Sequence, residues 1–127
     1  MPSVKQVQIT FDCADPVRVA RFWSEVLGYG PPAESDGSWS ACSDPAGVGP
    51  RLYFQRVPEG KVAKNRVHID VRAAPGLTGA ERLAALEAEC TRVVALGAVR
   101  DQLLVADDLS ESCINMRDVE GNEFCLD

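Results

Sequence analysis

A strand pattern followed by a helix pattern occurs twice in this chain, and that repetition limits the available folds more than any other feature. Val7-Gln8-Ile9 returns as Val67-His68-Ile69 sixty residues later, each a polar residue between two apolar ones. Ser43-Asp44-Pro45-Ala46-Gly47 returns as Arg117-Asp118-Val119-Glu120-Gly121, and Leu27-Gly28 returns as Leu96-Gly97. Two copies are too few for a solenoid, which needs roughly three or more repeats to be stable. The pattern therefore predicts a fused pair of units within a single domain spanning 1–127, the first about 1–60 and the second about 66–127. A chain of 127 residues fits one domain of ordinary size.

Each half can be read element by element. From Val4 to Asp12, Val7, Ile9 and Phe11 alternate with Gln6, Gln8, Thr10 and Asp12, which predicts a strand buried on one side. Asp15-Pro16 is an N-cap followed by a first-turn proline, and Val19, Phe22, Trp23, Val26 and Leu27 repeat at helical spacing up to Gly28. Short strands are expected at Trp39–Ser43 and Arg51–Val57. The second half repeats this order. A strand from Arg66 alternates Val67, Ile69 and Val71 with His68, Asp70 and Arg72, and Thr78-Gly79-Ala80-Glu81 reads as a capping box. Leu83, Leu86, Cys90, Val93 and Val94 carry the stripe of a helix that stops at Gly97. Three more strands are expected near Val99–Val105, Cys113–Arg117 and Glu123 onward, with the acidic stretch Ala106–Ser112 as a surface turn.

Composition excludes several partners. Nineteen acidic residues against thirteen basic ones give a net charge of -6, so no general attraction to nucleic acid or to an anionic membrane surface is expected. No apolar run approaches the ~20 residues of a membrane span. The opening residues lack the basic region and apolar stretch of a secretory signal, so a cytoplasmic location is expected. Five cysteines are an odd number with no C-x-x-C pair, which predicts reduced thiols and mostly small core residues rather than disulfides or a zinc knuckle.

Taken together, the opening strand with Asp15-Pro16 and Arg21-Phe22-Trp23-Ser24-Glu25-Val26-Leu27-Gly28, the segments Phe54–Glu59 and Asn65–Asp70, and the ending Asp118–Cys125 resemble the glyoxalase-like branch of the vicinal oxygen chelate superfamily. The likeness covers nearly the whole chain. It implies an α+β fold of two βαβββ modules whose mixed sheet curls into a cup, with the helices packed outside, a small-molecule ligand inside, and a homodimer. In such a cup the polar strand faces line the pocket, which marks Gln8, Thr10, Tyr53, Gln55, His68 and Cys125 as ligand-binding candidates, with Trp23 or Trp39 as an aromatic wall.

Metal-using members of that superfamily carry His or Gln, Glu, His and Glu at four lining positions. Here the resemblance puts Gln8 at the first, His68 at the third and Cys125 at the fourth, with Tyr53 or Gln55 at the second. Both carboxylates are missing, so no divalent metal and no other cofactor is expected. If an ion does bind, Gln8, His68 and Cys125 are its candidates, and a thiolate with an imidazole suits zinc or copper. Without metal, proton transfer is the chemistry to expect: His68 is the sole histidine, histidine ordinarily titrates near neutrality, and Asp70 is placed to orient it. If the chain is an enzyme, His68 and Asp70 are its catalytic candidates; the resemblance leaves open that it only sequesters a small molecule, as the bleomycin-resistance relatives do, and the alternative is a metal-dependent lyase, isomerase or dioxygenase of the same superfamily with atypical ligands. The connection Pro58–Arg66 joins the modules and offers Lys61, Lys64 and Arg66 to an anionic ligand, while Cys125 is read as an inert buried thiol.

Overall fold

The structure is a computed structural model and describes residues 2–33, 35–107 and 111–127. The chain divides into two compact units, Met1–Gly60 and Lys61–Asp127.

In the first unit, β1 (Gln8–Cys13), α1 (Pro16–Leu27), β2 (Trp39–Cys42) and β3 (Arg51–Arg56) follow in order. The sheet order is β1-β3-β2, with β1 parallel and β2 antiparallel to β3. The helix forms as its residues dictate. Asp15 caps it by accepting from the Arg18 N–H at 3.2 Å, Pro16 opens it, and Gly28 closes it in the left-handed region at φ 68. It lies against β2 and β3 and buries Val19, Phe22, Trp23 and Val26. Phe11 and Phe54 of the sheet meet at 5.1 Å between ring centroids, and Phe11 meets Trp23 at 5.5 Å. Trp23 is therefore core, not an aromatic wall of a pocket, because its place on the apolar stripe of α1 turns it onto the sheet.

In the second unit, β4 (Ile69–Val71), α2 (Gly79–Ala95), β5 (Val99–Leu104), β6 (Cys113–Arg117) and β7 (Glu123–Leu126) form a sheet of order β4-β7-β6-β5. β4 runs parallel to β7, whereas β6 is antiparallel to both of its neighbours. α2 packs on β5, β6 and β7; its Leu86, Cys90 and Val93 are buried along with Ile114, Met116, Phe124 and Leu126 of the sheet, and Cys90 Sγ lies 3.7 Å from Met116 Sδ. The alternation of these strand residues leaves Asp70, Asn115, Arg117, Glu123 and Cys125 on the opposite face.

Three local expectations are corrected. The opening strand begins at Gln8 rather than Val4, and Val7 is exposed. The second module's first strand begins at Ile69 rather than Arg66, so His68 lies immediately before β4 and Val67 is exposed. Thr78 precedes α2 but its side chain makes no capping bond, because Gly79, at φ 58, turns the chain through the left-handed region where a capping box needs helical geometry. No disulfide joins the five cysteines, and Cys13, Cys42 and Cys90 are buried. Among the described residues no helix is long and apolar enough to cross a membrane.

Candidate functional site

The helix-free face of the second sheet brings three of the sequence candidates together. Asp70 and Cys125 are direct partners across the β4–β7 ladder, and Cys125 is the partner of Asn115 across β7–β6. His68 Nε2 lies 3.1 Å from Asp70 Oδ1, with both side chains a little under half exposed. The Cys125 thiol donates to Asn115 Oδ1 at 3.1 Å. Beside this row the sheet and the preceding segment enclose a hollow of about 320 Å³, lined in part by Lys64, His68, Asp101, Asn115, Glu123 and Cys125.

Next to the row of Asp70, Cys125 and Asn115 runs a row of charges. Arg117 faces Asp101 of β5 with contacts of 3.0 and 3.1 Å, and Arg117 is the cross-strand partner of Glu123. Glu123 accepts from the Asn65 N–H at 2.9 Å and faces Lys61 at 3.2 Å. Burial alone would push the Glu123 carboxyl up, but the Asn65 N–H and the Lys61 ammonium hold it below the usual range. Burial pushes the Cys125 thiol up to about 11, helped by Cys113, Asp70 and Asp127 and opposed by Lys64. Burial raises Cys113 as well. Cys125 is thus a neutral donor at physiological pH.

His68, Asp70 and Cys125 offer one nitrogen, one oxygen and one sulfur, all within 4.8 Å of one another. A hard ion such as manganese or magnesium takes about six oxygens. One carboxylate does not fit that need. A borderline ion such as zinc takes imidazole, carboxylate and thiolate in a four-coordinate shell, so the trio fits zinc in ligand type, with Asp70 rather than Gln8 as the third member within this unit.

The remaining candidates lie in the first unit. Thr10 and Tyr53 are cross-strand partners, and Tyr53 stacks on Trp39 with ring centroids 5.9 Å apart and planes within 7°. The Arg51 guanidinium sits 5.5 Å from the Tyr53 ring centroid and donates to Gln8 Oε1 at 2.6 Å. Gln55 Nε2 donates to Asp12 Oδ1 at 2.7 Å. Gln8 and Gln55 are therefore each engaged by a neighbour on the adjacent strand.

The connecting segment divides its cations. Lys61 pairs with Glu123, Lys64 lines the hollow, and Arg66 is exposed. Of the acidic stretch, residues 108–110 lie outside the described residues. Ser112 is buried rather than on a surface turn, because its carbonyl accepts from Arg82 and its hydroxyl accepts from the Ala106 N–H. Sequence reasoning missed Asn115, Asp101 and Glu123 as lining residues. The signal was present for two of them: Asn115 and Glu123 share the period of two that places Cys125 on the same face.

The family pattern described as a glyoxalase-like domain matches residues 8–126. No curated protein sequence matches. Among solved structures, the fosfomycin resistance protein FosX from Listeria monocytogenes superposes with a TM-score of 0.70 at 14% identity, over 98% of this chain and 93% of that one. A glyoxalase/bleomycin resistance protein/dioxygenase family enzyme from Burkholderia phytofirmans superposes with a TM-score of 0.68 at 14% identity, over 94% of each chain. A possible glyoxalase from Bacillus cereus gives 0.66 at 13% identity, over 98% of each chain. Likeness at these identities is likeness of fold.

Proposed function

The chain belongs to the family of glyoxalase-like domains, and from that premise we propose that it binds a small organic molecule in the hollow of its second unit and moves a proton on it without a divalent metal. The observation that carries this reading is the 3.1 Å contact between His68 Nε2 and Asp70 Oδ1 at a lining residue of the hollow. Asp70 fixes the ring and its tautomer, which leaves Nδ1 as the nitrogen that accepts the proton and stabilises the imidazolium that results. Cys125, held as a thiol, is not the nucleophile. The hollow lies at the lower end of the roughly 300–1,000 Å³ usual for ligand pockets, which favours a metabolite or a small drug over a nucleotide-sized ligand.

The test is solvent exchange. Metabolite extract incubated with the protein in D2O should lose one carbon-bound proton signal, and His68→Ala should slow that exchange by about 10²–10⁴, the usual contribution of a general base. Asp70→Asn should slow it less while leaving the ligand bound. A ligand retained with no exchange, unaffected by His68→Ala, would turn the reading into sequestration.

A second reading has its own observation, the trio of His68, Asp70 and Cys125 within 4.8 Å. A variant of FosX from Listeria monocytogenes is complexed with Mn(II) and 1S,2S-dihydroxypropylphosphonic acid, so metal use occurs on this fold. In this chain the donor set favours zinc over manganese, and the reading becomes a metal-dependent lyase or isomerase; a dioxygenase of this superfamily would need a redox-active ion in place of zinc. Elemental analysis of protein purified without added metal decides between the two: a stoichiometric transition metal lost on His68→Ala would favour the second.

A further inference from the structure

The polar groups around the hollow are not balanced between donors and acceptors. Each carboxylate lining it is already engaged: Asp101 by Arg117 at 3.0 Å, and Glu123 by the Asn65 N–H at 2.9 Å and by Lys61 at 3.2 Å. Asp70, next to the hollow, is 3.1 Å from His68. Lys64 lines the hollow and forms no ion pair among the described residues. The Asn115 amide oxygen is taken by the Cys125 thiol at 3.1 Å. With its oxygen on the Cys125 side, the Asn115 amide leaves its NH2 group, with two donors, for the hollow.

A lining whose carboxylates are engaged while an ammonium and an amide NH2 group are open favours a ligand with an anionic acceptor at those two groups, whatever its remainder presents to Gln102 and His68. Resting on the reading of this hollow as the ligand site, we propose that its ligand is a small organic acid whose carboxylate is held between the Lys64 ammonium and the Asn115 NH2 group. Carboxylate and ammonium form a charge-assisted hydrogen bond, about twice as strong as a neutral one. Cys125 is then a positioning residue: it touches Asn115 and sets the amide orientation without reacting. Anchoring the acid group at Lys64 leaves the rest of the molecule to extend toward His68, which lines the same hollow.

The experiment uses three probes with one skeleton and different charge: benzoate, benzamide and benzylamine, titrated into the full chain at low salt and followed by amide NMR. Benzoate should perturb Lys64, Asn115 and Cys125 at a concentration at least tenfold below the other two, and added salt should erase most of the difference. Lys64→Met should remove the preference while leaving benzamide unchanged. Cys125→Ala should weaken benzoate severalfold and Cys125→Ser should restore it, since a hydroxyl also donates to the amide oxygen; the spectra themselves report whether each variant is folded. Equal binding of the three probes, or a preference for benzylamine, would overturn the organic-acid assignment and leave the ligand site standing. No perturbation in the hollow by any probe would overturn both.

Discussion

Cys125 and Asn115 are opposite one another on β7 and β6, and the thiol donates to the amide oxygen at 3.1 Å. A thiol in that role must keep its proton, and burial supplies the reason by pushing Cys125 up to about 11. At pH 7.5 the thiolate is then scarcer than in an ordinary cysteine by roughly two orders of magnitude. Native Cys125 should therefore alkylate with iodoacetamide far more slowly than the unfolded chain, as peptide mass mapping would show. Equal rates for the native and unfolded chain would sink the assignment.

The same shift has a consequence for stability. A group whose folded pKa is raised contributes stability that is fully present below its unfolded value, near 8.5 for cysteine, and that is lost as pH rises through the folded value. Wild type should lose stability between about pH 8.5 and 11 more steeply than Cys125→Ala. Parallel curves of melting temperature against pH for the two proteins would refute this.

The repeated Asp-x-x-Gly turns make an internal comparison. Asp44 accepts from the N–H groups of Ala46, Val48 and Gly49, and Gly47 N–H closes on the Asp44 carbonyl at 2.9 Å. Asp118 accepts from the N–H groups of Glu120 and Asn122 and from the Asn122 side chain, and Gly121 N–H closes on the Asp118 carbonyl at 3.0 Å. Asp118 is 2% exposed and its donors on Glu120 and Asn122 are half-buried, so Asp118→Ala leaves them without their acceptor and should cost about 1–3 kcal/mol in urea unfolding. Asp44→Asn should cost less. The N–H groups of Gly49, Ala46 and Val48 hold the Asp44 carboxyl below its usual range, so its contribution is present above the ordinary carboxylate pKa near 4 and disappears as pH falls through the lower folded value. The gap between wild type and Asp44→Asn should close in acid, and a gap that persists unchanged to pH 2 would contradict this origin.

These turns were legible in the sequence because they are built from local contacts: an Asp, two or three neighbouring N–H groups and a Gly suffice. α1 was legible for the same reason, since Asp15, Pro16 and Gly28 each act within one turn of the helix. What the sequence did not show depends on what packs where. Alternation alone makes His68 a strand residue, yet the ladder with β7 starts at Ile69. Trp23 and Trp39 were equal candidates for a pocket wall; only the packing of α1 separates them. The hollow itself arises from how β5 and β6 place Asp101 and Asn115 beside Lys64, a juxtaposition of residues far apart in the chain.

Arg82 offers a prediction of a different kind. It is 8% exposed, and its Nε and Nη2 both donate to the Ser112 carbonyl, at 3.0 and 2.8 Å, while Nη1 donates to the Ala74 carbonyl at 3.2 Å. One guanidinium thus ties α2 to two loops. Arg82→Met should cost about 2–4 kcal/mol by leaving two carbonyls without donors, and Arg82→Lys should recover little, because an ammonium lacks the planar fork. Urea unfolding of the three proteins measures this. Full recovery by lysine would show that charge, not geometry, is what the site needs.

The two helix ends, Leu27-Gly28 and Leu96-Gly97, look alike in sequence but should respond differently to alanine. Gly28 sits at φ 68 with no atom near the position of an added Cβ, so Gly28→Ala meets only the intrinsic penalty of the left-handed region, about 1–2 kcal/mol. Gly97 sits at φ 115, and an added Cβ would come within 2.9 Å of Val119 Cγ1. That φ lies beyond the left-handed helical well that other residues occupy, and the close approach to Val119 adds to the strain. Gly97→Ala should therefore cost more than Gly28→Ala in urea unfolding, and Gly97→Ala combined with Val119→Ala should regain the steric part but not the backbone part. If the two single substitutions cost the same, Val119 yields freely and the contact carries no constraint.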